Sequence, residues 1–82
     1  MVSEQKFPAQ FSAVIRQRMQ ATGTSTSRLS VETSIPRETL NRRLKGKAFT
    51  ADEMAALAAY FQTTVTDLCR AAEELDLSEC AA

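Results

Sequence analysis

Residues 29–47 read Leu29-Ser30-Val31-Glu32-Thr33-Ser34-Ile35-Pro36-Arg37-Glu38-Thr39-Leu40-Asn41-Arg42-Arg43-Leu44-Lys45-Gly46-Lys47. The stretch divides at Ser34-Ile35-Pro36. Proline has a fixed φ and no amide hydrogen, which costs nothing at the start of a helix. Before it lies the end of one short helix; after it a second helix runs to about Lys45 and stops at Gly46. Glu38 falls at the positive end of the second helix's dipole. At 100° per residue, Leu40 and Leu44 lie one above the other and must point at a core. Glu38, Arg42 and Lys45 then point the opposite way, flanked by Asn41 and Thr39, with Arg37 to one side at the first turn. The outward face carries almost nothing but hydrogen-bonding and cationic groups. Such a helix is suited to a nucleic-acid groove.

Overall charge hides this pattern. The chain has 10 basic and 10 acidic residues. Their distribution is uneven: through Ala48 there are nine basic residues against three acidic ones, a net +6. From Phe49 onward one arginine stands against seven carboxylates, a net −6. This asymmetry suggests one half that binds a polyanion and an acidic half that faces elsewhere.

At 82 residues the chain is expected to form one domain around one modest core. There is no histidine, and Cys69 and Cys80 do not amount to a disulfide framework or a zinc-site spacing. No metal or cofactor is expected. Neither cysteine has a base partner in the sequence and there is no glycine-rich phosphate loop, so an enzyme is not expected either. The apolar run 54–61 is too short to span a membrane, and no signal peptide precedes the first helix, so a soluble cytoplasmic protein is expected.

Outward from the central stretch, five helices and no strand can be read. Residues 1–7 read as a flexible polar arm. Pro8 suits the first turn of a helix in which Phe7, Phe11, Val14, Ile15 and Met19 recur at helical spacing through Ala21. Gly23 breaks it, and Ser25 or Thr26 caps a second helix ending near Thr33, with Leu29 and either Val31 or Ser30 inward. Thr50 and Glu53 have the spacing of a capping box, opening a fourth helix with Met54, Leu57, Ala58 and Phe61 inward. Thr64 and Asp67 open a fifth, which carries Leu68, Cys69, Ala72 and Leu75. The remainder, 73–82, is an acidic tail.

The ordered set of Leu29, Ile35, Leu40, Leu44 and Gly46, the apolar stripe from Leu57 to Phe61, and Thr64-Val65-Thr66-Asp67-Leu68 resembles the Cro/C1-type (XRE-like) helix-turn-helix domain of phage and bacterial repressors. The resemblance spans roughly residues 11–68. It implies a compact, all-α, five-helix fold like that of lambda repressor, occupying 8–72. Two departures stand out: Ser30 and Ser34 occupy positions where the family often has alanine and glycine. Ser34 is expected to adopt a left-handed conformation at a cost of roughly 1 kcal/mol. Thr26 stands where the family often has glutamine.

The resemblance further implies that the third helix enters the major groove of double-stranded DNA while the second lies across the backbone, with dimers reading paired half-sites. Carried onto this chain, Arg37, Glu38, Asn41 and Arg42 are the expected base readers. Arginine matches guanine, asparagine adenine and glutamate cytosine. Ser25, Thr26, Arg28, Thr39, Arg43, Lys45 and Lys47 are the expected backbone contacts; Thr39 also suits a thymine methyl, and Arg43 equally suits a surface ion pair. The expected function is a sequence-specific transcriptional regulator, a phage-type repressor or Cro-like protein, acting on an operator as a homodimer that is weak or forms only on DNA. Leu75 and Leu77 offer its apolar surface. No small-molecule ligand and no membrane partner are expected. The competing reading is an antitoxin-like or adaptor module that uses its acidic C-terminal half to hold a basic protein.

Overall fold

The computed structural model describes the backbone of residues 2–75 and the side chains of 7–75. Five helices follow one another: α1 (Val2–Thr22), α2 (Thr26–Thr33), α3 (Arg37–Leu44), α4 (Ala51–Tyr60) and α5 (Val65–Glu74). The described residues form no strand.

α1 begins at Val2, so the stretch expected as an arm is helical from there and Pro8 lies inside the helix rather than at its first turn. An interior proline forfeits one backbone hydrogen bond and must be tolerated through packing. Phe7 supplies some of that packing, its ring 6.1 Å from Phe11 and set against the core. The helix ends in a Schellman motif at Gly23 (φ 68°): the Gly23 amide donates to the Gln20 carbonyl and the Thr24 amide to that of Met19.

α2 is capped by Ser25, whose hydroxyl accepts from the Arg28 amide at 3.1 Å. Leu29 is fully buried, but the other inward position is Thr33 and not Val31, which is 78% exposed. Leu29 and Thr33 are four residues apart and share a face, whereas Val31 sits about 200° around the helix from Leu29. Thr33 is tolerated inside because its hydroxyl donates to the Leu29 carbonyl at 2.6 Å. Ser34 takes the expected left-handed conformation (φ 62°). Ser30 is half-buried beside it and donates to the Ile35 carbonyl at 2.5 Å, satisfying the turn from within.

α4 opens with the capping box: the Thr50 hydroxyl accepts from the Glu53 amide and the Glu53 carboxylate from the Thr50 amide. It closes on a second Schellman motif in which Gln62 (φ 58°), not a glycine, takes the left-handed position. Thr64 caps α5, accepting from the Asp67 amide at 3.0 Å. The last helix continues through Glu74, so Glu73 and Glu74 lie on it rather than in the tail. The expectations for Leu77 and Cys80 fall outside the described residues.

α1 is the hub, packing against both α5 and α3, while α2 bridges α3 and α4. Phe11, Val14, Ile15, Leu29, Leu40, Leu57, Leu68 and Ala72 form the centre of the core. Met54, Phe61, Cys69 and Leu75 are partly buried around it. Each large side chain placed there contributes roughly 1.5–3 kcal/mol relative to exposure.

Candidate nucleic-acid interface

The direction of α3 is set by its two leucines. Leu40 is 0% and Leu44 8% exposed, and Arg37, Glu38, Asn41 and Arg42 are all on the solvent side. Thr39 is half-buried at the margin. The four exposed polar residues therefore spread over the outer side of the helix, from Arg37 at its first turn to Arg42 opposite the leucines. Glu38 and Arg42, spaced for an intrahelical ion pair, are not paired with each other. Arg37 is held at the near end: its Nη1 donates to Ser27 Oγ on α2 at 2.8 Å. A guanidinium carries five donors, so this bond leaves most of the fork free.

Ser25, Arg28, Lys45 and Lys47 are exposed and Thr26 half-exposed, at the N-terminal end of α2 and just beyond α3. The Ser25 hydroxyl accepts in its capping bond, so its own proton remains available to an anion. The backbone amides of the same first turn carry partial positive charge.

Arg43 is placed differently from the other cations. Its Nε donates to Glu53 Oε1 at 2.9 Å and its Nη2 reaches Oε2 at 3.4 Å, joining the end of α3 to the capping box of α4. Partial burial works against the charged form of Glu53. The hydrogen bond from Arg43, the Thr50 backbone amide and the arginine's charge outweigh it and hold the carboxyl below its ordinary range. At Cys69, burial pushes the thiol up, helped by the charge of Glu73, so it stays protonated and unreactive at neutral pH.

Three residues missing from the sequence-based expectation support this surface. Ser27 touches Arg37. Ser12 and Arg16 on α1 donate to the Arg43 and Leu44 carbonyls at the end of α3, Ser12 at 2.6 Å. Ser12 left one trace in the sequence: it is a hydroxyl inside the apolar stretch from Phe11 to Ile15, and a buried hydroxyl requires a partner. Arg16 and Ser27 left none. Among the described residues no buried side-chain nitrogen or oxygen lacks a partner, and no cluster suits a metal ion. No described helix is long and apolar enough to cross a membrane.

The exposed carboxylates Asp52, Asp67, Glu73 and Glu74 lie on α4 and α5, which carry one exposed cation, Arg70, whereas α2, α3 and the two lysines after α3 carry five exposed cations against Glu32 and Glu38. Charge is thus divided between elements and not only between halves of the sequence. Comparison with curated proteins and with solved structures yields no match. A family model, by contrast, matches residues 14–74. That span takes in α2, the Ser34–Pro36 turn and α3 together with the helices that support them. The chain therefore belongs to the Cro/C1-type HTH DNA-binding domain family.

Proposed function

We propose that the protein is a sequence-specific transcriptional regulator of the phage-repressor or Cro type, acting in the cytoplasm as a homodimer on a double-stranded operator. The observation that carries the reading is the exposed polar side of α3: Arg42 and Glu38 face away from buried Leu40 and Leu44, Asn41 flanks them, and Arg37 is exposed at the first turn. With α3 in the major groove, these four side chains meet base edges. Arginine contributes two-pronged contacts to guanine, asparagine to adenine, and glutamate accepts from cytosine. Ser25, Thr26, Arg28, Thr39, Lys45 and Lys47 hold phosphates, which fix register without reading sequence. Arg43, expected among them, serves the scaffold through Glu53 and reaches phosphate only at the cost of that pair.

The acidic face of α5 supports the competing reading, a module that grips a basic protein. Selection from a random duplex pool separates the two. A regulator enriches one sequence, with an affinity that falls steeply with salt. A pool that yields no enriched sequence at low salt overturns the regulator and favours the protein partner.

A further inference from the structure

α3 is eight residues long, so the carbonyls of its last turn, which have no partner within the helix, are a large share of its backbone. The Lys45 and Gly46 amides return to the Arg42 and Arg43 carbonyls at 3.1 Å each. The remaining donors come from α1. Ser12 is fully buried and lies 3.0 Å from the Pro8 carbonyl on its own helix, yet its bond to the Arg43 carbonyl is the shorter at 2.6 Å. A hydroxyl has one proton to give, and the shorter distance favours the α3 carbonyl as its acceptor. One turn along, the Arg16 guanidinium donates to the Leu44 carbonyl, where its charge also suits the negative end of the helix dipole.

We infer that Ser12 and Arg16 are positioning residues for the recognition helix, setting how sharply the protein discriminates between sequences without touching a base. The inference rests on the reading of α3 as the base-reading helix. Burial of Leu40 and Leu44 is non-directional and leaves the helix some freedom to roll; hydrogen bonds to two successive carbonyls do not. A helix with its side chains is about 10–12 Å across, so a roll of about 20° carries a side-chain tip about 2 Å. That displacement breaks a two-pronged base contact, because an N–H···O bond is confined to roughly 2.7–3.2 Å. A lysine keeps its phosphate through the same displacement, because its flexible stem can follow and its point charge needs no fixed angle. Losing the clamp therefore reduces discrimination and spares non-specific affinity.

The test uses the full chain and two probes: the duplex enriched by the wild-type protein, and a scrambled duplex of equal length. Arg16→Met, at an exposed position, is expected to lower the ratio of the two affinities about tenfold, the scale of one lost base contact. Its affinity for the scrambled duplex and its salt slope are expected to hold. Arg16→Lys retains a donor and should keep the ratio, while Ser12→Ala should lower it. Arg18→Met removes the same charge from the same helix and should leave the ratio alone. An unchanged ratio in both Arg16→Met and Ser12→Ala overturns the inference. So does an equal loss on both duplexes with a flatter salt slope, which would make Arg16 a phosphate contact. A wild-type protein that enriches no sequence refutes the base-reading role of α3 itself, a separate outcome.

Discussion

Arg42 and Lys47 carry the same charge and are both exposed, but their settings assign them different tasks. Arg42 projects from a helix that buried Leu40 and Leu44 turn toward solvent on this side and that Ser12 and Arg16 hold by two backbone carbonyls, so its fork arrives at a defined place and angle. Lys47 follows Gly46 outside the helix, on a flexible stem with a point charge at its end. The first arrangement suits recognition of a planar base edge, the second attraction to a phosphate. Arg42→Ala is accordingly expected to cost about 1–3 kcal/mol on the preferred duplex and to relax preference at one position. Lys47→Ala should weaken binding to all duplexes alike and reduce the salt slope by about one unit. Competition binding at several salt concentrations reads both. An Arg42→Ala protein that keeps wild-type affinity and the same preferred sequence would show that α3 does not dock on this face.

α3 is too short to hold itself, since isolated helices below about 12–15 residues are marginal in water. Its neighbours hold it: α1 through Ser12 and Arg16, α2 through Ser27, and α4 through Glu53. The link to α4 has a measurable pH signature. The Glu53 pKa is lowered in the folded protein from an ordinary value of 4.5, so the carboxylate adds stability that is complete above that value. The contribution is lost as pH falls through the lowered folded-state value. Glu53→Gln should therefore melt about 4–8 °C below wild type at neutral pH, corresponding to about 1 kcal/mol, and the gap should close in acid. A gap that persists unchanged well below pH 4.5 would assign the loss to packing instead. These links also mark where the sequence stopped being informative. The Ser25, Thr50 and Thr64 caps lie within three residues of the amides they satisfy, and the Leu40–Leu44 spacing is a property of one helix, so both could be read locally. The Ser12 and Arg16 contacts join residues 31 and 28 positions apart, and no local pattern encodes them. Val31 was ambiguous for another reason: in a helix as short as α2 the apolar stripe has too few members to fix its phase.

At the scale of the molecule, a formal charge of zero conceals a positive excess on α3 and the two lysines that follow it and a negative one on α4 and α5. On the proposed reading, such a molecule would approach DNA with α3 leading and its acidic helices turned from the phosphates. One domain of this size presents one short recognition helix, so a single copy reads only a few base pairs, too few to single out a site among many. Pairing two copies on a palindrome, as proposed, would remove the shortfall and place their α3 helices about 34–36 Å apart, one turn of duplex. The two-copy arrangement has a geometric consequence that a monomer does not share. Inserting five base pairs between the half-sites turns the second one to the opposite face of the duplex, about half a helical turn away. A dimer should then bind no more tightly than to an isolated half-site, and inserting ten base pairs should restore part of the affinity only if the link between copies can stretch. Two independent monomers would bind all three duplexes alike, with two shifted species of equal intrinsic affinity. Gel shifts across this spacing series therefore measure the dimer directly on the DNA, whatever the association of the free protein.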